Sequence, residues 1–373
     1  MSKKIKKEEE INYYTLKNIM KNKAEYYMIY GERSNGKTTS VLEYCLDKHI
    51  ESGYVKQLGL IRRWEEDFKG KNGQQMYESI INLGWVKEKT KGKYNSVRYY
   101  AQRWYLCNFD ENGKLLDSAE KPFTLGFALT MEEHYKSTSY PDISYILFDE
   151  FITRGYYLPD EFIKFQNLLS TLIRLKDDVI IFMCGNSINR FCPYFNEMGL
   201  TGIKNQKRGT IDIYTYGESG LTVAVEYSDF PSKKKPSNKY FAFNNPKLQM
   251  ITNGGWEIDI YPHLPIKYQP KDVIYHFYIL FDRELLQGNI INVEDKTFIY
   301  IHRKTTKIRD DNVQLVYQQQ TDVRSNYRVN LFKPYEKVDK FITGMFNHHK
   351  VFYQDNEVGE IVNNYINWCA VNG

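Results

Sequence analysis

The clearest chemical signal is a glycine-bounded loop between an apolar segment and a helical pattern. It reads Gly31-Glu32-Arg33-Ser34-Asn35-Gly36-Lys37-Thr38 and continues into Thr39. In this G-x-x-x-x-G-K-T pattern, glycines let the backbone curl so that its N–H groups and a helix N-terminus face phosphates. We assign residues 31–39 to ATP binding, with Lys37 on the β- and γ-phosphates and Thr38 as a ligand of Mg²⁺. The alternative is a chance match in a glycine loop.

Two acids close a second apolar segment. Residues 143–148 are mostly apolar and lead into Asp149 and Glu150. This pattern is typical of a Walker B strand, in which Asp149 holds the Mg²⁺ shell with Thr38 and Glu150 polarises the water that attacks the γ-phosphate. An adjacent glutamate favours a hydrolase of the additional-strand, catalytic-glutamate class over a small-molecule kinase.

A helix and a further strand follow these acids. Residues 160–175 place apolar side chains at helical spacing and end near Arg174, while residues 179–186 form a buried strand pattern that ends at Asn186. In this class of enzyme a polar residue at that strand end senses the γ-phosphate or the attacking water, so we list Asn186 as a catalytic candidate. A turn or cap residue is the equal alternative.

A basic stretch with interleaved tyrosines occupies residues 87–103. Such a segment can follow a phosphate backbone by charge alone, with salt-dependent affinity. An ordinary solvated hairpin is the alternative interpretation. The candidate DNA contacts are Lys87, Lys89, Lys91, Lys93, Arg98 and Arg103.

These residues need a sheet to position them. The succession of strand, helix and strand predicts an α/β fold with a mostly parallel central sheet, followed by a smaller α+β domain. We predict an ATPase domain over residues 1–200, a linker over 201–230 and a C-terminal domain over 231–373. In the last domain we expect hairpin strands over 272–303 and a helix over 356–370.

Composition limits the class of protein. The chain has 373 residues, 42% of them hydrophobic and 26% charged, and a net charge of +5, which suits a folded protein with a polyanionic partner. Its five scattered cysteines form no C-x-x-C pair, so we expect reduced thiols and no zinc site. We expect no secretion signal and no membrane span.

The region 24–195 resembles the DNA-encapsidation ATPases of small podoviruses. The resemblance is carried by Arg33 inside the phosphate loop, by residues 139–152 with their Phe-Asp-Glu-Phe-Ile core, and by Asn167-Leu168-Leu169 leading to Arg174. It implies a P-loop ATPase that pumps double-stranded DNA into a preformed procapsid, acting with Mg²⁺ and ATP in the host cytoplasm and transiently at the portal vertex.

The same resemblance implies partners and further site residues. It implies a homo-oligomeric ring, expected to be a pentamer, with ATP at the subunit interfaces and contacts to the viral portal. Arg174 matches an arginine finger given to the neighbour's ATP, and Lys136 matches a second basic residue acting in trans. A structural RNA partner is left open.

The resemblance also implies that the C-terminal domain is a vestigial ribonuclease-H-like fold. Its acids, including Asp259, Asp282, Glu294 and Asp295, form no evident two-metal set, so we expect no nuclease activity. Two other functions stay open at this point: another nucleic-acid motor of the same fold, such as a helicase or helicase loader, and a nucleotide-dependent scaffold with negligible turnover.

Overall fold

The computed structural model describes residues 13–153, 157–187, 192–229, 261–264, 266–310 and 312–371. These residues form two α/β units, each with its own sheet and apolar core. Within the described residues, no helix combines the length and apolar composition that crossing a bilayer requires.

The first unit is built on a ten-stranded sheet whose central strands are parallel. Its spatial order is β3-β4-β6-β2-β7-β8-β1-β10-β9, with β5 paired to β4. In chain order the strands are β1 (Tyr26–Gly31), β2 (Gln57–Arg62), β3 (Ser96–Tyr100), β4 (Arg103–Phe109), β5 (Leu115–Ser118), β6 (Thr124–Ala128), β7 (Ile143–Asp149), β8 (Ile180–Asn186), β9 (Ile211–Tyr216) and β10 (Leu221–Tyr227). The α/β prediction with a mostly parallel sheet is confirmed.

Helices cover both faces of this sheet. Successive residues of β1 alternate between the two cores: Met28 and Tyr30 belong to one, Tyr27 and Ile29 to the other. Burial on both faces explains why the central strands read as continuous apolar runs. The helices are α1 (Lys37–Glu51), α2 (Gly70–Gln75), α3 (Glu78–Asn82), α4 (Trp85–Lys89), α5 (Glu132–Tyr135), α6 (Glu161–Ile173) and α7 (Pro193–Glu197).

The predicted linker over 201–230 is wrong, because most of it belongs to the first sheet. β10 pairs in parallel with β1 from Tyr26 to Tyr30, and β9 closes that edge as an antiparallel neighbour of β10. Val223, Ala224 and Val225 are buried in the two cores of the first unit. The first unit therefore extends to at least residue 227. Residues 230–260 lie outside the described residues.

In the described residues, the second unit is a six-stranded sheet with two α-helices. Its strands are β11 (Val273–Phe281), β12 (Glu284–Val293), β13 (Lys296–Arg303), β14 (Val316–Gln318), β15 (Tyr327–Arg328) and β16 (Val351–Tyr353), and its helices are α8 (Lys337–Asn347) and α9 (Asn356–Val371). The spatial order is β15-β14-β11-β12-β13-β16. The strands β11 to β13 form an antiparallel meander, and β14 and β15 continue from β11 in parallel, as in a ribonuclease-H-like sheet.

Sequence patterns in this unit predicted its main elements. The hairpins over 272–303 and the C-terminal helix are present, and Val358, Ile361 and Val362 of α9 are buried in the core. In the described residues, the connections from β13 to β14 and from β14 to β15 contain no helix.

Candidate functional site

The phosphate loop lies between β1 and α1, as its sequence requires. Gly36 has a backbone φ of 94°, in the left-handed region, and a Cβ there would come within 3.0 Å of the Tyr13 ring. Glycine is therefore needed at this turn for both conformation and space. Residues Arg33 to Thr39 line a cleft of about 570 Å³.

The first two residues of the motif have structural rather than lining positions. Gly31 and Glu32 are not among the residues that line the cleft. The Glu32 carboxylate accepts a hydrogen bond of 2.7 Å from Arg208, and its carbonyl accepts one from Lys37. Glu32 thus supports the conformation of the loop from outside the cleft.

Lys37 projects into the loop and is almost completely buried. Its Nζ donates to the carbonyl of Glu32 at 2.5 Å, to Asn35 Oδ1 at 3.1 Å and to Asn186 Oδ1 at 3.4 Å. Burial lowers the pKa of the Lys37 ammonium to about 8, although the carboxylates of Asp149 and Glu32 act in the opposite direction. A phosphate group would supply the negative charge that this buried cation lacks.

Asn186 lies in the same cleft, at the end of a central strand. It ends β8, and β8 lies between the phosphate-loop strand β1 and the acid-bearing strand β7. This is the additional strand expected of the hydrolase class named above. The contact with Lys37 places the Asn186 amide inside the cleft rather than in a remote turn.

Thr38 and Asp149 meet on the floor of the cleft. The Thr38 hydroxyl donates to Asp149 Oδ1 at 2.7 Å. Burial raises the pKa of Asp149, which the nearby Arg62 guanidinium partly opposes. A hydroxyl and a carboxylate that converge in this way are the oxygen donors that Mg²⁺ prefers, so these two residues fit the metal.

Glu150 is placed at the cleft but is paired in this conformation. Its carboxylate lies 2.7 Å from Arg62, which also lies 3.4 Å from Asp149. The Glu150 side chain is 62% exposed, and its backbone φ of 60° is left-handed. Such strain in a non-glycine residue is a feature of functional sites.

Arg62 is a site residue that the sequence analysis missed. It ends β2, the strand directly beside β7, and Ile61 pairs with Phe148. Strand-terminal arginines on one strand and acids on another were both visible in the sequence. Only the adjacency of the two strands shows that the charges meet.

Arg63 was missed as well, and it links the cleft to helix α6. Its guanidinium donates to both carboxylate oxygens of Glu161, at 2.7 and 2.8 Å, and to the carbonyls of Glu150 and Phe151. Glu161 also accepts from Tyr194 at 2.8 Å. This buried network fixes the chain after Glu150 against the first turn of α6.

Arg174 lies at the opposite end of α6. The helix has 13 residues and is therefore about 20 Å long, at roughly 1.5 Å per residue. Arg174 does not line the cleft; its guanidinium donates to the carbonyl of Lys136 at 2.5 Å. Lys136 is exposed, pairs with Glu133 and is also absent from the cleft lining. The structure thus brings these two basic residues together, away from their own nucleotide site.

The six basic candidates for DNA contact do not behave alike. Lys89 forms ion pairs with Glu43 at 3.0 Å and Asp47 at 2.9 Å, so its charge is used within the chain. Lys93 lies over the Tyr54 ring, and Arg98 is half-buried over the Tyr105 ring. The exposed members are Lys87, Lys91, Lys93 and Arg103.

Comparisons with known proteins identify the family of this chain. The family model of the podovirus DNA encapsidation protein (Gp16) matches residues 8–235. The DNA packaging protein of Bacillus phage B103 is 25% identical over 246 residues, which is 58% of this chain and 69% of that protein. Those of Bacillus phages PZA and phi29 are each 31% identical over 210 residues, 56% of this chain and 54% of theirs. The chain thus spans about half the length of these last two relatives.

Two solved structures share the fold over nearly the whole chain. The Phi-28 gp11 DNA packaging motor is 17% identical, with a TM-score of 0.51 over 96% of this chain and 98% of that one. The phi29 viral genome packaging motor assembly is 17% identical, with a TM-score of 0.53 over 94% and 96%. Since the family model covers more than half of the sequence, the chain belongs to the podovirus DNA encapsidation protein family.

Proposed function

We propose that the chain is one subunit of a ring-shaped ATPase that translocates double-stranded DNA into a preformed viral procapsid. The observation that carries this proposal is the nucleotide cleft. Lys37, Thr38, Asp149, Glu150 and Asn186 converge there on the strand order of an ATP hydrolase, in a chain of the encapsidation family.

Each side chain of the cleft has a separate role in ATP hydrolysis. Lys37 and the loop N–H groups bind the β- and γ-phosphates, and Asn186 contacts the γ-phosphate or the water. Thr38 and Asp149 would hold Mg²⁺, which neutralises charge on the phosphate oxygens when bound. Glu150 orients and deprotonates the attacking water once a phosphate draws the Arg62 guanidinium away from it, because a carboxylate paired with Arg62 is a poor base.

A second subunit completes the site. Arg174 lies about 20 Å along α6 from Glu161, whose partner Arg63 lines the cleft. The finger and the nucleotide site lie on different sides of the subunit, so the finger of one subunit meets the nucleotide of the next. Such a head-to-tail interface can close into a ring. In trans, Arg174 stabilises the charge of the transferred phosphoryl group, an effect of roughly 10³–10⁵ in rate or about 4–7 kcal/mol. Lys136 adds positive charge beside it.

We infer further properties of the assembly on the same basis. The ring is a pentamer that docks on the portal, and the exposed members of the basic stretch 87–103 contact duplex phosphates without reading base sequence. The second unit serves docking, to the portal or to a structural RNA.

The second unit is not a nuclease in this proposal. Asp282 lies in the turn before β12, and Glu294 and Asp295 lie in the turn after it. Ten extended residues separate the two turns by about 33 Å, so these acids cannot share a pair of metal ions. β11, at the centre of the sheet, carries no carboxylate. Asp259 lies outside the described residues. Mg²⁺- or Mn²⁺-dependent cleavage of plasmid DNA would contradict this inference.

Complementation between two inactive variants tests the shared site. The Arg174→Ala variant lacks the arginine finger but has an intact nucleotide cleft. The Glu150→Gln variant has an inactive cleft but an intact finger. Each variant alone should hydrolyse ATP at least about 10³-fold more slowly than wild type. A 1:1 mixture should regain roughly a quarter of wild-type activity, because half of the clefts are intact and half of those meet an intact finger in a head-to-tail ring. No recovery, with turnover per subunit independent of wild-type concentration, would refute the ring.

The nucleic-acid substrate has a separate test. ATP hydrolysis should be stimulated by duplex DNA more than by single strands of equal phosphate concentration, and 0.5 M salt should abolish the stimulation. A preference for single strands would instead favour a helicase-like motor.

A further inference from the structure

A turn at the mouth of the nucleotide cleft has exposed groups that the hydrolysis roles do not use. Trp64 and Asp67 both line the cleft and lie in one turn, in which the Asp67 N–H donates to the Trp64 carbonyl at 3.3 Å. The turn is rigid because Phe68, which follows directly, is fully buried and packs on Trp104.

Trp64 and Asp67 present an aromatic ring and a carboxylate at the mouth of the cleft. Trp64 is 42% exposed. Asp67 is half-buried; its carboxylate accepts a hydrogen bond from the Trp64 backbone N–H and forms no ion pair with a described residue. Burial raises the pKa of Asp67, with Arg62 opposing and Glu150 adding to the shift. Its neighbours Glu65 and Glu66, by contrast, are paired with Lys69 at 2.9 and 3.4 Å.

The corner after α6, formed by Arg174 and Leu175, carries a cation and an apolar side chain, which complement the carboxylate of Asp67 and the ring of Trp64. Arg174 is exposed and, in the described part of the chain, has no acidic partner; Leu175 is fully exposed. Both residues have left-handed φ values, 23° and 56°, which are costly for side chains of this size. Lys176 anchors the corner by donating to the carbonyls of Tyr140 and Ile143, at 3.0 and 2.5 Å. The fold therefore holds a cation and an apolar side chain outward in a fixed geometry.

We propose that Trp64 and Asp67 form the docking site for the Arg174–Leu175 corner of the neighbouring copy. The Arg174 guanidinium pairs with the Asp67 carboxylate and stacks on the Trp64 indole, and Leu175 covers the remaining indole surface. Trp64 and Asp67 are positioning residues, since they bring the finger to the cleft while the finger itself acts on the phosphate. This inference rests on the proposed ring and adds the surface on which the finger is received.

Site-directed cross-linking tests the contact directly. A Trp64→Cys chain mixed with a Leu175→Cys chain, at the concentration where wild-type hydrolysis saturates, should form a covalent dimer under mild oxidation. All five native cysteines are buried and should not compete. Either variant alone should give no dimer, because the contact is head to tail. The control pair Tyr335→Cys and Leu175→Cys uses an exposed aromatic of the second unit and should also give none.

The dependence of ATP hydrolysis on protein concentration gives a second readout. Asp67→Asn and Trp64→Ala should raise the concentration for half-maximal activity by about fivefold to thirtyfold, with turnover at saturation within about threefold of wild type. Glu66→Gln, the matched control in the same turn, should leave this concentration unchanged. The docking site alone would be overturned by three results together: wild-type activity that saturates with protein concentration, half-maximal concentrations unchanged in both variants, and no cross-link. Concentration-independent wild-type turnover would overturn the ring as well.

Discussion

Removing one member of the buried pair Arg63–Glu161 should destabilise the first unit severely. The two side chains are only 6% and 0% exposed. In Glu161→Leu, Arg63 loses two charged hydrogen bonds, Tyr194 loses its acceptor, and the Leu158 N–H loses another. The guanidinium then remains buried, and the carbonyls of Glu150 and Phe151 are its remaining hydrogen-bond acceptors among the described residues.

The size of the loss follows from this uncompensated burial. Breaking a buried ion pair from one side costs about 3–5 kcal/mol, a large fraction of the roughly 5–15 kcal/mol that stabilises a typical domain. Replacing both charges removes the stranded group, so Arg63→Met with Glu161→Leu should recover most of the loss. The exposed pair Lys121–Asp142, with Lys121 53% exposed, is the matched control; Lys121→Met should cost less than about 1 kcal/mol.

Urea denaturation of the full chain, followed by far-ultraviolet circular dichroism, measures these differences from the midpoint of the transition assigned to the first unit. ATP hydrolysis should fall in Arg63→Met even where the chain is folded, since Arg63 also holds the backbone after Glu150. Single variants within about 1 kcal/mol of wild type would refute the reasoning. A double variant as unstable as the sum of its singles would refute it too.

Three shorter predictions concern the loop, the basic stretch and the thiols. Gly36→Ala should abolish binding of a fluorescent ATP analogue, because it forces a side chain into left-handed backbone against Tyr13; retained binding would contradict this. Lys91→Ala should reduce the salt dependence of DNA affinity by about one counterion, whereas Lys89→Ala, which breaks internal ion pairs, should change stability without changing that slope. Cys107 is buried, and burial raises its pKa to about 11, so a thiol reagent should label it at pH 8 only after unfolding. Rapid native labelling at pH 8 would show that this thiol is accessible.

Local sequence determined the individual parts of the nucleotide site. The glycine pattern of residues 31–38 depends only on backbone conformation, and the apolar runs before Gly31 and Asp149 report strands buried on both faces. The periodicity of α6 and α9 is equally local. Each was therefore predictable without knowledge of any partner element, and Thr38 and Asp149 indeed meet at 2.7 Å.

Tertiary structure decided which of these parts are neighbours. Arg62 pairs with Glu150, and Arg63 with Glu161, because β2 lies next to β7 in the sheet. These contacts join residues that are 88 and 98 positions apart in the sequence. The apolar residues of Leu221–Tyr227 can be read from the sequence, but the place of this strand beside β1 cannot, and the predicted linker was wrong for that reason. Hydrophobic periodicity records that a strand must be buried, whereas its partner depends on which sheet edge the rest of the chain leaves open.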